Sequence, residues 1–179
     1  MRVLSLETSL LNEGIITQLV NVYNNPQKSR QRRGKMSKHE WPSSSITPEE
    51  LLRIAREAAS NSYAPYSHFH VGAAMLLSNG EVIKSCNVEN ASYSLTICAE
   101  RSGIVSMVSQ GKRNPVAIAV VGSHEECNDY MSVPCPPCGA CRQTLAEFGR
   151  DILVVLASEN GAEVFALSEL LPHSFTLKP

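Results

Sequence analysis

With 179 residues, 43% apolar side chains and a formal net charge of -1, the chain has the size and composition of one globular domain with an ordinary core, and two full domains would be a stretch. A charge this near zero and an aromatic content of 6% exclude a whole-chain argument for nucleic-acid binding, and no apolar run approaches membrane-spanning length. The six cysteines would suit a disulfide-stapled secreted protein, but Glu7, Asn12, Glu13 and Gly14 break up the first apolar stretch, so a reducing, cytoplasmic setting is expected.

In chain order, residues 5 to 23 have the spacing of a short amphipathic helix. From Asn24 to Ser45 the composition turns polar and basic, with Lys28, Arg30, Arg32, Arg33 and Lys35 close together. Residues 1 to 45 carry seven Lys and Arg against three Asp and Glu, and the remainder carries nine against fourteen. A stretch of this kind buries too little apolar surface to offset its ordering entropy. Residues 1–45 are therefore expected to form a flexible basic extension, with 46–179 as the folded domain. The plain reading of the extension is a solvated tail; the alternative is a localisation or polyanion-binding signal.

Thr47 followed by Pro48, with Glu50 three residues after the threonine, marks a helix start. Leu51, Leu52, Ile54, Ala55, Ala58 and Ala59 then recur at helical spacing up to about Asn61. Strands over 70–77 and 81–88 are predicted to be joined by a tight turn at Asn79-Gly80. A helix over 98–110, a strand over 116–122, a helix over 139–148 and strands over 152–156 and 162–165 follow. A hairpin succeeded by alternating helices and strands predicts an α/β fold. The expected form is a mixed sheet of about five strands with helices on both faces, a three-layer α/β/α sandwich.

Chemistry concentrates in Cys98-Ala99-Glu100 and Pro137-Cys138-Gly139-Ala140-Cys141. Three thiols suit three corners of a Zn2+ tetrahedron, and Glu100 suits proton handling at the open fourth corner. A closed structural site would not need that glutamate. Cys98 and the Cys138/Cys141 pair fall at predicted helix starts, where unpaired N–H groups favour thiolate. Residues i and i+2 do not share a helix face, so Cys98 must sit at or before the first turn for Glu100 to reach the site. Arg101 and Arg142 each follow a ligand directly, and Arg101 is the favoured donor of hydrogen bonds to thiolate sulfur. Cys135 with Cys138 is also Cys-x-x-Cys, but that choice strands Cys141 and puts prolines at the helix start; Cys138 with Cys141 is preferred. Cys86 reads as a buried small residue and Cys127 as a loop thiol.

The zinc motif resembles that of the zinc deaminases, and the resemblance extends further. Residues 63–73 (YAPYSHFHVGA), 86–93 (CNVENASY), 98–101 (CAER), 137–148 (PCGACRQTLAEF) and 170–175 (LLPHSF) together resemble the small homotetrameric cytidine deaminases over about residues 47 to 177. The resemblance implies Cys98, Cys138 and Cys141 as Zn2+ ligands, Glu100 as proton shuttle, and Asn87 and Glu89 as holders of the ribose. It also implies Phe69 as the base-stacking aromatic and Ala99 as the residue whose backbone meets the pyrimidine. Tyr93 and Phe175 would complete a neighbouring subunit's pocket. Strand alternation separately puts Asn87 and Glu89 on one face. The implied activity is hydrolytic deamination of cytidine and 2'-deoxycytidine in pyrimidine nucleoside salvage. The implied substrate is a free nucleoside, with no nucleic-acid or membrane partner. His70, Pro136 and the basic extension depart from the family pattern. Two other readings stay open: a deaminase of a different base-containing compound or of a polynucleotide base, and a non-catalytic zinc module with Cys135 at the fourth corner and Glu100 as a helix-start carboxylate.

Overall fold

The computed structural model describes residues 39–177, apart from Ser44. The helix expected over 5–23 and most of the basic extension lie outside the described residues. In order, the elements are α1 (Pro48–Ala59), β1 (Phe69–Leu77), β2 (Val82–Cys86), a 3₁₀ turn (Tyr93–Leu95), α2 (Ala99–Ser109), β3 (Pro115–His124), α3 (Gly139–Ala146), β4 (Leu153–Ser158), β5 (Gly161–Ala166) and α4 (Leu167–Leu170). The 3₁₀ turn and α4 were not expected, being too short to show a period.

Helix α1 starts as its residues dictate. Thr47 Oγ1 accepts from the Glu50 N–H at 3.2 Å and Pro48 takes the first helical position, filling one of the donor vacancies every helix start leaves. Glu50 does not return to the cap. Its carboxylate accepts a fork of two hydrogen bonds from Arg53 instead. The compact unit runs from His39, with Trp41 and Ile46 packed on the core beneath α1 and Trp41 Nε1 donating to the Ile46 carbonyl at 2.6 Å. The folded body thus takes in residues assigned to the extension on composition; one tryptophan supplies the buried surface that the polar average conceals.

The sheet order is β2-β1-β3-β4-β5. β1 pairs antiparallel with β2 and β3, β3 runs parallel to β4, and β4 pairs antiparallel with β5. The β1–β2 hairpin turns at Asn79-Gly80, with Gly80 at φ 85°, a conformation glycine adopts without strain. Side-chain alternation divides the core in two. Ala74, Leu76, Ala117, Ala119, Val121, Val155 and Ala157 face Leu51, Leu52 and Ala55 of α1. On the opposite face Ala73, Met75, Ile118, Val120, Val154 and Leu156 meet Ile104 and Met107 of α2, Leu145 of α3 and Leu167 of α4. The result is the expected three-layer sandwich. At Gly72, where α1 crosses β1, a Cβ would stand 2.0 Å from the Ala55 carbonyl oxygen and 2.6 Å from the Ala59 nitrogen, so only glycine lets helix and strand come this close.

Candidate metal centre

The second core layer brings the starts of α2 and α3 together, and with them the cysteines. Cys98 is the N-cap of α2 and Cys138 the N-cap of α3, neither using its side chain as a cap; Cys141 is buried in the first turn of α3. The three sulfurs lie within 4.8 Å of one another, with Cys138 and Cys141 3.5 Å apart. Zinc–sulfur bonds of about 2.3 Å give tetrahedral edges of about 3.8 Å, so the trio fits such an ion. Two helix N-termini converge there, and their dipoles favour the accumulated negative charge.

Arg101 Nη2 donates to the Thr96 carbonyl at 2.8 Å and lies 3.9 Å from Cys98 Sγ. Its Nε is buried with no hydrogen-bond partner among the described residues, and its charge beside Cys98 favours the thiolate. Three thiolates exceed a divalent cation by one negative charge, and one arginine restores balance. Hydrogen bonding from Cys141, then the Arg101 charge, brings the Cys98 thiol down to about 5; the same hydrogen bond and burial push Cys141 up. A bound cation would deprotonate the coordinating set outright.

Glu100 is 4% exposed. Burial, then the negative charge of Cys98, raises its carboxyl above the ordinary glutamate range despite a hydrogen bond from Cys141. A carboxyl held in this way, beside the sulfurs, keeps its proton to higher pH than a free glutamate and is suited to take one up and release it. Cys135 stays apart from the trio. It packs against the core outside the set of converging sulfurs, and burial, then the charges of Glu100 and Cys98, pushes its thiol up to about 11. A Cβ on Gly122 would come within 2.8 Å of Cys135 Sγ and 2.9 Å of two Phe69 ring atoms. Both side chains thus lie flush against the bare backbone of β3, and His124 closes the Phe69 ring edgewise at 4.9 Å between centroids.

Asn87 and Glu89 follow β2. Asn87 is 7% exposed; its Oδ1 accepts from the Val71 N–H at 2.9 Å and from the Ser62 hydroxyl, and its Nδ2 donates to the Phe69 carbonyl at 3.0 Å. Glu89 Oε2 accepts from the Tyr66 and Ser67 N–H groups at 3.0 and 3.2 Å, and the Ser67 hydroxyl followed by these N–H groups holds its carboxyl below the usual range. Ala99 is fully buried, its carbonyl accepting from Ser85 Oγ at 2.7 Å. Tyr93 and Phe175 are each 68% exposed.

Arg142 turned out not to donate to sulfur: it donates to the carbonyls of Pro137 and Leu170. Gln143, which the sequence reading passed over, forms a two-way pair with the Phe175 backbone at 2.8 and 3.0 Å. These residues of α3 moor the C-terminal segment. Cys86 is partly exposed, not buried, and donates to the Asn61 carbonyl, while Cys127 is an exposed loop thiol as expected.

Residues 45–157 match the family model of the cytidine and deoxycytidylate deaminase zinc-binding region. The cytidine deaminase of Halalkalibacterium halodurans is 46% identical over 128 residues, spanning 70% of this chain and 92% of that protein. The cytidine deaminase of Sporosarcina psychrophila is 39% identical over 130 residues, spanning 72% and 90%. Among solved structures, cytidine deaminase from Burkholderia pseudomallei is 42% identical and superposes with a TM-score of 0.65, over 73% of this chain and all of that one.

Proposed function

The chain belongs to the cytidine and deoxycytidylate deaminase family, and from this we infer that it removes the 4-amino group of cytidine by hydrolysis, yielding uridine and ammonia. The observation that carries the mechanism is the convergence of three cysteine sulfurs beside a buried glutamate. When held by Cys98, Cys138 and Cys141, zinc supplies the Lewis acidity that makes water a nucleophile near neutral pH. Glu100 accepts a proton from the attacking water and passes it to ring N3 as the C4–O bond forms. It then takes the remaining proton from the hydroxyl added at C4 and delivers it to the amino group, and the C4–N bond breaks to release ammonia as the C4 carbonyl forms. Arg101 offsets the thiolate charge. Phe69 provides the face on which the ring stacks, and the buried Ala99 backbone lines its edge.

Asn87 and Glu89 hold the sugar in this proposal. The Glu89 carboxylate suits a hydroxyl and repels a phosphate, which favours free nucleosides, 2'-deoxycytidine included, over nucleotides or polynucleotides, and so a place in pyrimidine nucleoside salvage. Ammonia release should appear with cytidine and 2'-deoxycytidine, be about a hundredfold weaker with cytidine monophosphate, vanish on chelation and return with zinc. Equal turnover of the monophosphate would overturn the nucleoside assignment.

A homotetramer is part of the same proposal. Tyr93, Leu95, Val105, Phe175 and Leu177 are all more than 60% exposed, apolar side chains that contact with further copies would cover. Light scattering should return four times the chain mass. The mass of a single chain would contradict the assembly.

Among the described residues no helix is long and apolar enough to cross a membrane.

A further inference from the structure

We propose that Ser62 is a positioning residue for the sugar subsite, its hydroxyl closing the last open lone pair of Asn87 so that Asn87 can offer substrate only an N–H. The inference rests on the reading above, in which Asn87 and Glu89 hold the ribose.

The orientation of the Asn87 amide is not arbitrary. A backbone N–H can only donate, so the atom facing Val71 N at 2.9 Å is the oxygen; a carbonyl can only accept, so the atom facing Phe69 O at 3.0 Å is the nitrogen. An amide oxygen has two lone pairs. Val71 takes one and the Ser62 hydroxyl takes the other. Of the two Nδ2 hydrogens, one goes to Phe69. The residue's own backbone is also engaged, its N–H donating to Val71 O and its carbonyl accepting from Tyr63 N, both at 3.1 Å. Asn87 is thus held on every side but one, with a single donor left for a ligand.

Glu89 is the complement. A carboxylate has about four acceptor sites; the Tyr66 and Ser67 N–H groups and the Ser67 hydroxyl engage three, and one remains. One donor beside one acceptor matches a sugar hydroxyl, which accepts the first and donates to the second. Without Ser62, Asn87 Oδ1 keeps an open lone pair in a buried setting, which competes for the hydroxyl proton intended for Glu89 and loosens the amide.

The test compares cytidine with 2',3'-dideoxycytidine, which lacks both secondary hydroxyls. In Ser62→Ala the KM for cytidine should rise about three- to tenfold, the cost of one neutral hydrogen bond, with kcat unchanged and with KM for the dideoxynucleoside unchanged. Ser62→Cys keeps the shape of the side chain, slightly enlarged, but donates weakly, and should reproduce the split if Ala perturbs folding. A parallel rise for both substrates, or no rise for cytidine, overturns the positioning role. The underlying reading has its own control. If the wild-type protein gave equal KM for both substrates, the sugar subsite itself would be refuted, whatever the Ser62 variants did.

Discussion

Glu100→Gln should lower kcat for cytidine by about a thousandfold or more, within the range one general acid–base group contributes, while leaving zinc content and fold intact. Glutamine keeps the shape and hydrogen-bonding reach of the side chain and removes only its ability to gain and lose a proton. The effect should be large because in the proposed mechanism the same carboxyl is used twice, for N3 and for the departing amine. Its carboxyl lies against Cys98 and Cys141, two of the three sulfurs of the cluster. Zinc content by atomic absorption and KM should stay near wild type, since neither depends on proton transfer. A variant with kcat within tenfold of wild type would remove Glu100 from the chemistry and restore the reading of it as a helix-start carboxylate.

Gly72→Ala should be the most damaging single methyl in the fold. The added carbon would stand 2.0 Å from the Ala55 carbonyl oxygen and 2.6 Å from the Ala59 nitrogen, and these are backbone atoms of α1 that cannot rotate aside. The helix must lift from the sheet along a face where Leu51, Leu52, Ala55 and Ala59 are fully or almost fully buried. Overpacking of this kind costs about 3 kcal/mol, which for a domain of this size lowers the melting temperature by about 10 °C. Thermal unfolding followed by circular dichroism measures it. A melting temperature within about 2 °C of wild type would show that α1 moves more freely on β1 than its packing indicates.

What was legible in the sequence was whatever a residue announces by its own local chemistry. Thr47 and Pro48 announce a helix start, Asn79-Gly80 a hairpin, and Gly139-Ala140 between two cysteines a chain that turns onto a metal and runs into a helix. The choice of Cys138 with Cys141 over Cys135 could be made for that reason, and the sulfurs do converge in that set. What was not legible depended on remote backbone. The bonds from Arg142 and Gln143 end on carbonyl and amide groups of the C-terminal segment, and every residue type presents such groups. The anchoring of Asn87 by Val71 and Phe69 has the same character. The faces of β3 and β4 were equally opaque: both strands are buried on both sides, so their runs of Ala, Val, Ile and Leu lack the alternation that would tell one layer from the other. Trp41 escaped because composition averaged over a basic stretch hides one well-placed aromatic. The places assigned to Tyr93 and Phe175 came from family likeness alone.

The two helix starts that supply the sulfurs are far apart along the chain, with the whole of α2, β3 and the loop before α3 between them. A zinc finger gathers its ligands from neighbouring turns and folds around the ion. Here Cys138 and Cys141 offer only half a grip until the central strands have assembled and carried Cys98 across to them. The full three-sulfur set exists only where the sheet has brought the two helix starts together, so the long intervening loop makes the site a property of the whole fold and not of a local turn.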